Sequence, residues 1–160
     1  MSEYAPEAIS WLAKEITTAV PNVSGVVILG ETRHLYGYHR ARNVVSADDY
    51  SVVLREDNEG DGWAASALDV PLGPTWLRRM TRRLLEYRDD HRLCAVREFF
   101  GTTDGATVLG WDRYFRRPAS ASTAHLGVLH ISFLRRYATD AAALAGVRSV
   151  LLGMSTVDPE

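Results

Sequence analysis

The stretch His125-Leu126-Gly127-Val128-Leu129-His130-Ile131-Ser132-Phe133 constrains the chain more than any other: an apolar run with two histidines, set between a loop of small residues and a helix start. Its length and apolar character predict a buried strand. Alternation places Leu126, Val128, His130 and Ser132 on one face and His125, Gly127, Leu129, Ile131 and Phe133 on the other. The two histidines then point opposite ways, and can share an ion only if a bulge near Gly127 shifts the count by one. An imidazole as deep in the run as His130 needs a hydrogen-bond acceptor or a cation for a partner.

Around this strand the pattern predicts an amphipathic helix over Pro6–Val20, with Ile9, Leu12, Ile16 and Val20 at helical spacing. A buried strand is predicted over Val23–Leu29 and further strands over Tyr50–Leu54 and Leu93–Phe100; Ala64–Val70 is a small, apolar stretch, and a His-, Tyr- and Arg-rich loop spans Glu31–Asn43. The longest helix starts at Pro74 or Thr75, with Trp76, Leu77, Met80, Leu84 and Tyr87 inward and Arg78, Arg79, Arg82, Arg83 and Arg88 outward. Pro118–Ala124 reads as a loop, and Asp140 as the cap of a last helix carrying Leu144, Val147, Val150 and Leu151. Residues 155–160 read as a disordered tail. The fold class expected is α+β: one domain, residues 1–154, with a small antiparallel sheet flanked by about three helices.

Composition narrows the chemistry. A net charge of -2 over 160 residues gives no broad reason to expect nucleic acid or an anionic membrane. No run approaches the roughly 18 apolar residues of a membrane span. The N-terminal residues lack the apolar core of a signal peptide, so synthesis in a cytoplasm is expected, with any outside role following release or assembly into a particle. One cysteine, Cys94, excludes an internal disulfide and a Cys-based zinc site, and itself reads as a small core residue. Any metal ligands are therefore His, Asp or Glu, and the available set is His34, His39, His125 and His130 with Asp48, Asp49 and Asp69. A hydrolytic zinc site takes three such ligands and keeps a fourth position for water.

The arginines of the long helix, continued by Arg113, Arg116, Arg117, Arg135 and Arg136, offer a phosphate- or carboxylate-binding surface. Pairs at helical spacing such as Arg82 with Glu86 favour a solvated, salt-bridged face instead. Gly60-Asp61-Gly62 and Gly101-Thr102-Thr103-Asp104-Gly105 lack the ending of a phosphate loop and read as turns. Of the aromatics Trp63, Trp76, Trp111, Tyr36, Tyr38, Tyr50 and Tyr114, Tyr36 and Tyr38 sit in a polar loop and are the best groove residues.

Gly37-Tyr38-His39, Ala65-Ser66-Ala67-Leu68-Asp69 and His130-Ile131-Ser132 resemble the scattered zinc motifs of peptidoglycan peptidases, the D-Ala-D-Ala carboxypeptidases and phage L-alanyl-D-glutamate endopeptidases. From Gly37 to Val150 the chain also resembles proteins of actinobacteria and their phages with a Gly37-Tyr38-His39-Arg40 segment, an Asp49-Tyr50-Ser51 segment and a late His130-Ile131-Ser132. The peptidase resemblance implies a small antiparallel sheet flanked by helices, and zinc on His39, Asp69 and His130. Tyr36, Tyr38 and His125 are the candidates for touching substrate. Three positions depart from the pattern: Gly62 stands where the first histidine would precede Asp69, so that His39 serves only if Arg40–Asp61 is an insertion; Val128 replaces the first member of a His-x-His; and Gly127 stands where an acid is expected. The nearest other carboxylates of suitable chemistry, Glu98 and Asp112, are distant in sequence, so no catalytic acid or base is assigned.

Two functions stand side by side on these residues. One is a zinc peptidase-like domain, active or degenerate, acting on or binding peptidoglycan stem peptides. The other is a non-catalytic phage virion or wall-binding protein whose partners are phage structural proteins. Regulatory binding through the arginine face comes third.

Overall fold

The computed structural model describes residues 1–30 and 34–154, so the expected tail at 155–160 and three residues of the His-rich loop lie outside the described residues. Three helices and a five-stranded antiparallel sheet form an α+β fold. The elements are α1 (Glu7–Ala19), β1 (Ala67–Pro71), α2 (Pro74–Glu86), β2 (Val96–Gly101), β3 (Leu109–Asp112), β4 (Arg117–Ala119), β5 (Val128–Phe133) and α3 (Ala141–Leu151), with strand order β1-β5-β2-β3-β4. Among the described residues no helix is long and apolar enough to cross a membrane.

Strand alternation divides the sheet cleanly. Leu68, Val70, Phe99, Leu129, Ile131 and Phe133 face the helices and join a core with Ile9, Leu12, Ile16, Leu77, Met80, Leu84, Leu144 and Val147. Each such side chain contributes about 1.5–3 kcal/mol on burial. On the opposite face the register sets Asp69 beside His130 and His130 beside Phe100, a row across β1, β5 and β2. Two helix starts expected from the sequence are present: Pro74 is the first residue of α2, and the Asp140 side chain caps α3 by accepting from the Ala143 amide at 3.0 Å. Gly110 is required by close approach, since a Cβ there would stand 1.8 Å from the Phe99 carbonyl oxygen. Gly110→Ala is expected to lose about 1–3 kcal/mol, or more, in urea denaturation; an unchanged midpoint would contradict this packing.

Several elements differ from expectation. Val23–Leu29 is no strand. Only Val27 pairs, with Asp69, while Gly25 adopts φ +77° and breaks the extension; Val23, Val26 and Ile28 pack on the core from an irregular segment. Tyr50–Leu54 is a series of turns whose carbonyls are taken by side chains rather than a ladder: Asn58 donates to Val52 and Leu54 at 2.9 Å each, and Arg135 to Ser51 at 2.8 Å. Within the expected loop, Arg117–Ala119 pairs with β3, Pro118 being tolerated because β4 is an edge. Tyr87 lies past the end of α2 and is exposed, and buried Thr81 takes an inward place on the helix. Trp76 is half-buried under the Arg79 guanidinium, 4.7 Å away. Cys94 is exposed rather than in the core. The arginines of α2 make no ion pair with a carboxylate among the described residues; Arg82 and Arg83 donate to the Thr103 and Leu151 carbonyls instead, at 2.9 and 2.7 Å.

Candidate metal centre

His39 reaches the sheet from an excursion that leaves and returns. The Tyr38 carbonyl accepts from the Ser66 amide at 2.7 Å, just before β1, and the Asn43 amide donates to the Gly62 carbonyl at 2.9 Å. Gly37 turns the chain at φ +78°, its amide donating to Asp49 Oδ2 at 3.0 Å. His39 is thereby seated above Asp69. Its Nδ1 lies 2.7 Å from the Ile28 carbonyl oxygen, which can only accept, so in the neutral ring Nδ1 carries the proton and Nε2 faces inward bare.

Three donor atoms converge there. Asp69 Oδ1 is 2.7 Å from His130 Nδ1 and 3.2 Å from His39 Nε2, and the two nitrogens are 3.4 Å apart. Ligand atoms about 2.0–2.1 Å from a tetrahedral zinc stand about 3.3 Å from one another, so only the closest pair must open. Ser132 completes the support, its Oγ 2.7 Å from His130 Nε2. The hydroxyl can donate to Nε2 while a proton sits on Nδ1, or accept from Nε2 once Nδ1 is bare for an ion. Asp69, His130 and Ser132 share the connectivity of a hydrolytic triad, but Ser132 is fully buried and no substrate can reach it.

The electrostatics suit a cation. Burial would raise Asp69, but the His130 Nδ1–H donated to it and the positive charge that His130 or His39 carries when protonated outweigh this and hold the carboxyl well below its usual range. Burial pushes the His130 imidazole down against the pull of Asp69. An ionised carboxylate beside a neutral imidazole is a metal-binding state, and two overlapping groupings here, His34 with His39 and Asp69, and Asp69 with His125 and His130, could hold a metal.

A cleft of about 200 Å³ opens over the centre. Phe100 stacks on His130 with ring centroids 5.4 Å apart, and Tyr36 stands exposed at the mouth. Tyr38 lines the cleft with its ring only: it is buried, and its hydroxyl donates to Asp57 at 2.5 Å, which limits the part it can play with substrate. His125 does not lie in the strand on the face opposite His130. It sits in a 3-10 turn, Thr123–Leu126, ahead of β5, and its ring comes to 5.8 Å from His130. His34 also lines the cleft, its Nε2 3.5 Å from Asp69 Oδ2.

Other candidates stay outside. Asp48 is exposed and Asp49 holds the loop; Trp63, Trp76, Trp111 and Tyr114 do not line the cleft. Asp112 is paired with Arg97, and Glu98, pushed up by burial, lies against the Tyr50 phenol rather than in the cleft. Gly62 lies against the Asn43 amide, where a Cβ would stand 2.5 Å from Oδ1 and oblige that side chain to move. Arg135, which sequence alone assigns to the basic surface, is 2% exposed and grips the His39 excursion. Its position just beyond a buried strand is the one signal that could have separated it from Arg136. No family model matches the chain, and neither a curated protein nor a solved structure is found to be similar to it.

Proposed function

We propose that the chain is a zinc-dependent, peptidase-like domain for peptidoglycan stem peptides, with the ion on His39, Asp69 and His130. The convergence of those three donor atoms within 2.7–3.4 Å, at the floor of an open cleft, is what supports it. Zinc bound there supplies an activated water and a Lewis acid for a peptide carbonyl. The chain's own contributions are orientation of His39 through the Ile28 carbonyl, orientation of His130 through Ser132, and an apolar wall from Phe100 that limits water on one side. Tyr36 and His125 stand where a peptide would enter.

Metal analysis of untagged protein tests this together with release of new amines from a stem-peptide substrate. At least one equivalent of zinc is expected, reduced in His130→Ala with loss of cleavage; metal-free wild-type protein would overturn the assignment. One observation favours capture of the peptide without cleavage. Asp69, the only carboxylate among the described residues lining the cleft, is engaged by imidazoles, so among the described residues no free carboxylate stands beside the proposed ion to act as base. Zinc-dependent peptide binding with no amine released would select that non-catalytic, wall-binding role.

A further inference from the structure

Four imidazoles surround one carboxylate, and they do not form a single ligand set. The donor atoms fall into two groups, His34 with His39 and Asp69, and Asp69 with His125 and His130, each group lying within 4.8 Å of one another. Asp69 belongs to both. Its two oxygens are also divided: Oδ2 faces His34 Nε2 at 3.5 Å, while Oδ1 faces His39 Nε2 at 3.2 Å and His130 Nδ1 at 2.7 Å. A carboxylate offering its two oxygens in different directions is suited to bridging.

A backbone carbonyl faces the Nδ1 of one histidine on each side. His125 Nδ1 lies 3.2 Å from the Ser122 carbonyl oxygen, as His39 Nδ1 lies 2.7 Å from that of Ile28. A carbonyl can only accept, so in the neutral rings both Nδ1 atoms carry the proton and both Nε2 atoms are bare. One tetrahedral ion on His39, Asp69 and His130 would leave two imidazoles beside a dication with nothing bound to them. Two ions use all five side chains. His34 and His125 are both partly open to solvent, so the outer positions are accessible from solution.

We infer that the centre is dinuclear, with two divalent cations bridged by Asp69, one on His34 and His39 and the other on His125 and His130. Paired ions about 3.5–4 Å apart clamp two oxygens of a substrate at once, a capability a single ion lacks. The inference rests on the proposal above that metal binds at this centre, and it divides His39 and His130, 3.4 Å apart, between two ions instead of one; the number of ions bound separates the fate of the two.

Chelator-stripped, untagged wild-type protein is dialysed against zinc and its metal content measured. Two equivalents are expected, falling to one in His34→Ala and to one in His125→Ala. Both variants change partly exposed residues, and circular dichroism verifies that they fold. One equivalent in the wild type, unchanged in both variants, would overturn the dinuclear centre and leave the metal proposal standing. No bound metal would overturn both. Two equivalents unaffected by either substitution would place the second ion elsewhere and overturn this assignment. Loading with manganese gives an independent reading: an exchange-coupled electron paramagnetic resonance spectrum is expected, and isolated six-line signals at full loading would contradict the bridge.

Discussion

Arg135→Ala is expected to destabilise the protein by about 3–5 kcal/mol and to weaken metal binding at His39 in whatever fraction stays folded. The guanidinium is buried without a carboxylate in direct contact. Its Nε donates to the Ser51 carbonyl at 2.8 Å, one terminal nitrogen to the Arg40 carbonyl at 2.8 Å, and the other to Ser51 Oγ at 2.7 Å and the Gly37 carbonyl at 3.4 Å. The plane also lies over the Tyr38 ring, 5.3 Å from its centre. Truncation leaves several buried acceptors without donors, each costing about 1–3 kcal/mol. The carbonyls of Gly37 and Arg40 bracket His39, so the loss falls on the segment that carries a proposed metal ligand. Arg135→Lys is expected to recover little, because an ammonium cannot present a planar fork to acceptors on several sides. Urea denaturation and zinc titration measure the two effects. An alanine variant within about 1 kcal/mol of wild type would show that the excursion is held by something else.

Asp112→Ala is expected to cost a similar amount, about 3–5 kcal/mol, through a different cause. Arg97 and Asp112 are joined at 2.5 Å, with side chains only 6% exposed, and Asp112 also accepts from the Phe115 amide at 2.9 Å. Removing the carboxylate strands a guanidinium in the interior, and that uncompensated charge is the larger part of the loss. Replacing both partners, Arg97→Met with Asp112→Leu, is expected to restore most of the stability, since a buried pair gains little over apolar residues of matching volume. The exposed pair of Arg116 with Asp89 provides the contrast, and its removal should stay within about 1 kcal/mol. A double-mutant cycle measured by chemical denaturation gives the coupling; a value near zero at Arg97 and Asp112 would refute the distinction.

The helices and the central strand were legible because their signals are local. Ile9, Leu12 and Ile16 keep helical spacing, Asp140 caps its own helix, and the alternation Leu129, Ile131, Phe133 marks the core face of β5. His130 and Asp69 were legible as candidates because polar side chains within apolar runs need partners. The region between Val20 and Ser66 was not legible. Its backbone carbonyls are met by Asn58, Arg42 and Arg135 instead of by a neighbouring strand, and no periodicity records such an arrangement. The place of His125 depended on where β5 begins. A strand started three residues early turns the imidazole to the wrong face, and the 3-10 turn before Gly127 carries no distinctive composition.

His39 and His130 stand 91 positions apart, and Asp69 and Arg135 are needed to bring them together. A nascent chain whose last strand has not yet left the ribosome holds only part of the proposed centre, and its His39 segment is not yet gripped by Arg135. On the proposed ligands, a fragment ending before β5 keeps His34, His39 and Asp69 but lacks His125, His130 and the arginine that seats His39, so the complete centre would belong to the finished protein alone.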